Sequence, residues 1–300
     1  MESRVCGFFK FEAIKPDGTK RVLADWFPNL ITNIGLNRMG TNSSWMSSCQ
    51  VGTGNTTPTV TDTSLAARIA GTSTRQSTSF TAQPSAPYYT TRTNVYRFTA
   101  GATEGILAEV GVGWSSTASD SMFSRALILD GTGTPTTLTM LADEILDVTY
   151  ALRIYPPASD ISGSVTLRGT NHTLTIRAML VTATGTNGWY NDETGIIATI
   201  WTASSQTFYD GAIGAVTGSP AGSSSNANSA TNVTYVANSF TLAAVVTAGL
   251  ANANFGTGIT AFRLKMGFVA YQIGFSPAIM KTSSDSLVLN VSHTWARKTL

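Results

Sequence analysis

Over residues 144–155 the chain alternates for the length of a whole strand. Leu146, Val148, Tyr150, Leu152 and Ile154 share one phase, and Asp147, Thr149, Ala151 and Arg153 share the other. Successive side chains of a β-strand point to opposite faces, so a sustained period of two predicts a strand with one buried and one solvated face. The pattern recurs over 92–98 and again over 107–114, where Ala108, Val110, Val112 and Trp114 fall on one side. Gly101-Ala102-Thr103-Glu104-Gly105 is the turn between those two. Further strands are expected over 5–13, 21–26, 49–51, 122–129, 165–167, 173–180, 238–246, 262–268 and 287–295. The turns between them are built from Gly, Pro, Asn and Asp, as in Pro16-Asp17-Gly18, where Pro presets φ and Gly tolerates a positive φ. Short strands at this spacing predict an all-β chain of antiparallel β-sandwich-like domains, with a barrel as the alternative closure. One short helix is expected over 29–39, with Leu30, Ile31, Ile34 and Met39 on its apolar side and Gly40 as its stop. Residues 64–69 read as one helical turn or an extended arm.

Charge narrows the functional classes. Charged residues make up 12% of the chain, about half the usual share of roughly 25%. Thr, Ser, Asn and Gly must therefore supply most of the surface polarity. The net charge is +2, and the densest basic group, Lys10, Lys15, Lys20 and Arg21, spans the first hairpin. Nucleic-acid binding needs a stripe of positive charge that displaces counterions, and none is present, so no nucleic-acid partner is expected. Cys6 and Cys49 are expected as buried thiols, since two cysteines make neither a disulfide framework nor a zinc site. Lys10 and Glu12 interrupt any signal-peptide core, and the apolar stretch 242–251 is too short to span a bilayer. A soluble protein made in a cytoplasm, without membrane insertion, is the expectation.

The chain length allows two domains, and Pro156-Pro157-Ala158-Ser159 is the candidate linker. The expected domains are 1–158 and 159–300, each a sandwich with one short helix. The second is either a degenerate repeat of the first or a separate module. Phe123-Ser124-Arg125-Ala126-Leu127-Ile128 echoes Phe275-Ser276-Pro277-Ala278-Ile279-Met280. Ile145-Leu146-Asp147-Val148-Thr149-Tyr150 echoes Val288-Leu289-Asn290-Val291-Ser292-His293. Residues 192–201 would then stand where the helix at 29–39 stands. The Gly/Ser/Asn/Ala tract 218–231 is expected as an exposed, mobile loop.

The sequence offers no catalytic, cofactor-binding or metal-binding residues, and no cofactor is expected. His172 and His293 stand at no metal-ligand spacing, and no Gly-x-Ser-x-Gly elbow is present. His172 is expected to be solvated beside a turn, and His293 to sit out of phase with the core or at its edge. Gly52-Thr53-Gly54-Asn55 lacks the following Lys and helix of a phosphate cradle and reads as a turn leaving a strand. Glu104, Glu109, Asp143, Glu144 and Asp147 are the carboxylates available for glycoside hydrolysis. Asp143 and Glu144 are adjacent at the opening of a strand and face opposite ways, so they do not converge. Glu109, Arg125 and Arg153 are charged residues inside apolar strands, and cross-strand ion pairing is their expected use. Tyr88-Tyr89 and Trp189-Tyr190 are loop aromatics suited to protein interfaces and, as the alternative, to sugar rings.

Taken together in this order, several segments resemble a family. They are Asn29-Leu30-Ile31-Thr32-Asn33-Ile34-Gly35-Leu36, Val51-Gly52-Thr53-Gly54-Asn55-Thr56-Thr57-Pro58 and Asp62-Thr63-Ser64-Leu65. Glu109-Val110-Gly111-Val112-Gly113, Phe123-Ser124-Arg125-Ala126-Leu127 and Asp143-Glu144-Ile145-Leu146-Asp147-Val148-Thr149-Tyr150 complete the set. The order resembles that of tailed-bacteriophage virion structural proteins, the tail and tail-fibre-associated proteins, over the first half of the chain. The resemblance implies a non-enzymatic virion component assembling with other virion proteins at the tail, the baseplate or the attachment apparatus. A homo-oligomer, a trimer or hexameric ring, is the expected state, since three two-domain copies present six similar domains. A receptor- or glycan-binding tail module contacting host-surface glycan, and a capsid decoration or head fibre, are the alternatives. Residues 52–69 are expected as an arm reaching an adjacent subunit.

Overall fold

A computed structural model of the chain describes residues 1–41, 44–180, 203–266 and 269–299. The fold is all-β and sandwich-like, with antiparallel pairing in every strand pair whose register is known. It divides into two compact units. The first comprises Val5–Phe80, Thr91–Arg153 and Arg297–Leu300, and the second Met1–Arg4, Thr81–Thr90 and Ile154–Ala296. The main junction at 153/154 lies near the proline pair expected as a linker, but both units are discontinuous in sequence, so no single cut describes them.

The first unit contains β1 (Glu2–Ile14), β2 (Lys20–Pro28), β3 (Leu30–Ile31), α1 (Asn33–Thr41), β4 (Ser48–Gly52) and β5 (Arg68–Thr72). It continues with β6 (Arg75–Gln83), β7 (Tyr89–Phe98), β8 (Gly105–Leu107), β9 (Glu109–Gly113), β10 (Met122–Leu127), β11 (Leu138–Met140) and β12 (Ile145–Tyr155). One sheet runs β3-β10-β9-β4-β5, and β1, β12, β7 and β6 are successive neighbours in the other, with β2 also paired to β1. Phe9, Phe11, Tyr96, Tyr150, Trp45 and Phe123 fill the core. The Phe9 and Tyr150 rings are 4.9 Å apart, and those of Trp45 and Phe123 5.4 Å.

The helix begins later than the hydrophobic spacing predicts. Leu30 and Ile31 pair with Arg125 and Ser124 as a short strand, so the apolar run is used by the sheet first. Thr32 then caps the helix, its Oγ1 accepting the Gly35 amide at 2.9 Å. Gly35 is required here, because a Cβ would lie 2.3 Å from the Phe123 carbonyl oxygen. The β12 alternation is real, but its second face is not solvated: Asp147, Thr149 and Ala151 are buried along with Leu146, Val148 and Tyr150. Residues 68–72 form β5 on the edge of β4 rather than a helical turn.

The second unit contains β13 (Ile161–Leu167), β14 (Thr170–Ala178), a 3-10 turn at Ala203–Ser205, β15 (Thr207–Tyr209), β16 (Ser224–Asn226) and β17 (Ser229–Asn232). β18 (Thr241–Ala248), β19 (Ile259–Met266), β20 (Val269–Ile279) and β21 (Leu287–Arg297) complete it. One sheet runs β13-β14-β20-β19-β15-β16, and β17, β18 and β21 are neighbours in the other. The tract expected as a mobile loop contains β16 and most of β17. Its Ser and Asn residues have little strand propensity, but β15 and β18 present open ladders that pair them. The helix expected over 192–201 lies outside the described residues.

The two units share one strand order. β5-β4-β9-β10-β3 in the first corresponds to β16-β15-β19-β20-β14 in the second, and β6-β7-β12 to β17-β18-β21, with chain order preserved throughout. Both echoing sequence pairs fall on corresponding strands, the Phe123 and Phe275 segments on β10 and β20, and the Ile145 and Val288 segments on β12 and β21.

Candidate functional site

The most elaborate polar site lies in the first unit. β9 pairs on both sides, with β4 and β10, so all five of its residues are buried, Glu109 included. A buried carboxylate is tolerated only when fully hydrogen-bonded or paired. Glu109 meets both conditions. Its Oε1 accepts the amides of Gly54 at 3.1 Å and Ala67 at 2.6 Å. Its Oε2 accepts the Ala66 amide at 3.0 Å and Arg125 Nε at 3.0 Å. Arg125 also donates to Asp62 at 2.5 Å and to the carbonyl and hydroxyl oxygens of Thr56, each at 2.9 Å. Partial burial pushes the Asp62 carboxyl up, but the Thr59 hydroxyl and amide and the Arg125 guanidinium outweigh it and hold the pKa below the ordinary value.

The loop 53–67 is therefore fastened to its own unit at both ends. Its glycines do shape an anion cradle, and the anion is the chain's own Glu109. A Cβ at Gly54 would lie 2.4 Å from Glu109 Oε1. This differs from a freely reaching arm, because the buried charges need the loop amides as ligands. The cross-strand pairing expected of Glu109 and Arg125 is present. Arg153 lies over the Phe8 ring, 4.6 Å from its centroid.

The remaining carboxylates of this unit are structural or exposed. Asp147 receives a bidentate Arg97, with both bonds at 2.7 Å. Buried Glu144 accepts Arg21 at 3.0 Å and 3.2 Å. Asp143 and Glu104 are exposed. Lys15, Lys20 and Arg21 lie exposed on the β1–β2 hairpin, and half-buried Lys10 pairs with Glu12 at 3.1 Å. Cys6 and Cys49 are buried and form no disulfide, and burial pushes the Cys49 thiol far up.

Both histidines are buried, contrary to the sequence reading. His293 has no exposed surface and stands between Tyr271 and Trp295, at ring distances of 6.0 and 6.1 Å. Burial, with the Met1 ammonium adding to it, pulls its pKa down to about 3. The β21 alternation places it inward, in phase with Trp295. His172 is 4% exposed, with Nδ1 2.7 Å from the Pro277 carbonyl oxygen. A carbonyl only accepts, so Nδ1 is the donor in this bond. Among the candidate sugar-binding aromatics, Tyr88 and Tyr89 are half-buried and the Tyr89 ring packs 5.2 Å from that of Tyr155. Trp189 and Tyr190 lie outside the described residues.

The second unit holds a cleft of about 540 Å³ where β14, β20 and the start of β21 converge. His172, Lys281, Arg168 and Asp285 supply its polar lining, and Pro277, Ile279 and Met280 contribute apolar walls. Arg168 and Gly169, with φ of 51° and 81°, form the two-residue turn joining β13 to β14, which projects Arg168 outward. Arg168 donates to Asp285 at 2.6 Å. That bond, helped by the Thr282 hydroxyl, draws the Asp285 pKa down to about 2. Lys281 is only 5% exposed. Its ammonium donates to Asn254 Oδ1 at 2.7 Å and to the Thr282 carbonyl at 3.3 Å. Burial lowers its pKa, and the Asp285 charge offsets part of that. In the sequence Arg168 and Lys281 lie far apart and show only as a basic turn and a Lys-Thr-Ser-Ser-Asp loop, so nothing local marks them as neighbours.

Among the described residues no group of three His, Cys, Asp or Glu side chains is placed to hold a metal ion. Among the described residues no helix is long and apolar enough to cross a membrane. No protein-family model, curated protein or solved structure matches this chain.

Proposed function

We propose that the chain is a non-enzymatic structural component of a bacteriophage virion, assembling as a homo-oligomer in or around the tail, baseplate or attachment apparatus. The observation that carries the reading is the Glu109–Arg125–Asp62 clamp. Four of the six segments whose order resembles the tail-protein family meet there: 51–58 and 62–65 supply the loop, and 109–113 and 123–127 supply the strands. Thr32 and Asn33 of the 29–36 segment join them, bonding to Phe123 and Val60. The motif set thus has a physical meaning as one rigid loop-on-sheet device, with its charge spent on geometry and not on chemistry. Exposed Trp26, within a bulge of β2, and exposed Val22 offer the kind of apolar contact a particle neighbour would cover.

The test is location on the particle. Antibody against the purified chain, applied to virions of the phage whose genome encodes it, should label the tail. Label on the capsid would favour the decoration or head-fibre alternative, and absence from particles would overturn the reading. Native mass of the purified chain tests the oligomer: a trimer or hexamer supports the ring, and a strict monomer rejects self-assembly.

A further inference from the structure

Lys281 presents an electrostatic imbalance. A buried ammonium normally sits beside a carboxylate, because desolvating a lone charge is costly. Here both acceptors are neutral oxygens. The nearby Asp285 is already bound by Arg168 and by the Thr282 hydroxyl at 3.0 Å. Arg168, Lys281 and Asp285 sum to one surplus positive charge on a cleft lined by all three. Its volume of about 540 Å³ falls in the range of roughly 300–1,000 Å³ typical of small-molecule sites.

The walls select further. Pro277, Ile279 and Met280 offer apolar surface, while Thr170, Ser286 and His172 bring hydroxyls and an imidazole. Apolar surface beside hydroxyl-bonding groups suits a pyranose, which has C–H faces and a hydroxyl rim. We propose that this cleft binds a small sugar acid, with the carboxylate received by Lys281 and Arg168 and the ring lying against Pro277 and Met280. This goes beyond the structural role proposed above and stands or falls separately from it, since a virion component can carry such a site or lack it.

The experiment is titration of the full chain with D-glucuronate, followed by calorimetry or ligand-observed NMR. D-glucose and glucose 6-phosphate serve as comparators. Glucuronate should bind saturably and D-glucose about tenfold or more weakly, the size expected for one charge-assisted hydrogen bond. Lys281→Met should lose binding by a similar factor. Because that side chain also ties Asn254, the exposed Arg168→Gln is the second variant, and circular dichroism checks the fold of both. Binding should weaken as salt rises. Absence of saturable binding, equal affinity for glucose, or full affinity in folded Lys281→Met would each overturn the proposal. A preference for glucose 6-phosphate over glucuronate would replace the carboxylate with a phosphate and overturn it as stated.

Discussion

Glu109 and Arg125 stand on neighbouring strands and meet at 2.9 Å, with side-chain exposures of 0% and 3%. Arg125 lies two residues before Leu127, the register partner of Glu109, so both side chains project from the same face. Removing one member of a buried pair leaves the other desolvated and unpaired. Glu109→Ala and Arg125→Met should each cost about 3–5 kcal/mol. Replacing both with apolar residues should cost less than the sum of the two. Urea denaturation of the three variants checks this.

Ion-pair substitutions should rank by burial. Asp147→Asn breaks a bidentate pair whose arginine is 30% exposed, so its cost should be smaller, about 1–2 kcal/mol. Arg168→Gln touches an arginine that is 71% exposed and should leave the urea midpoint unchanged. A reversed order in denaturation midpoints would refute the account.

Gly35→Ala tests the helix contact. In an exposed helix this change should stabilise by roughly 1 kcal/mol. Here the added Cβ would lie 2.3 Å from the Phe123 carbonyl oxygen, and overpacking should destabilise by about 1–3 kcal/mol. The sign of the Tm shift is decisive, and a rise would show that α1 does not press on β10.

Acid stability should report His293. Its folded pKa of about 3 lies below the ordinary 6.5, so below pH 6.5 the unfolded chain binds a proton that the native one excludes. The contribution is complete above that pH and falls by about 1.4 kcal/mol per pH unit towards pH 3. The lowered carboxyls of Asp62, Asp160 and Asp285 add their own losses only below about pH 4. Stability between pH 6.5 and 4.5 should therefore flatten in a folded His293→Phe variant.

Deleting residues 57–70 should unfold the first unit. Read as a free arm, the segment would be dispensable to a monomer and needed only for oligomers. In the structure it supplies Asp62, the Ala66 and Ala67 amides and part of β5. Circular dichroism and native mass together separate a collapsed chain from a folded monomer.

Alternating apolar residues over 144–155, the Asn/Gly turn chemistry and the low charge were enough to read an all-β chain of sandwich-like units. Two registers of evidence in the sequence, the Phe123 and Val288 echoes, also land on corresponding strands. Side-chain phase and turn residues are local properties, so they survive in one dimension. That Glu109 and Arg125 would serve cross-strand ion pairs was readable, since a charge within an apolar strand needs a partner, but that they pair with each other came from the fold. What the sequence could not supply was which neighbours cover each face. Tertiary packing buried Asp147 and Thr149, drew Leu30–Ile31 into a sheet before the helix could start, and made strands of a Ser/Asn tract. It enclosed both histidines, turned a glycine-rich arm into the ligand of a buried carboxylate, and brought Arg168 and Lys281 to one cleft. Those outcomes depend on strand pairings between residues far apart in the chain, where hydrogen bonds and desolvation outweigh the local preference of any one residue.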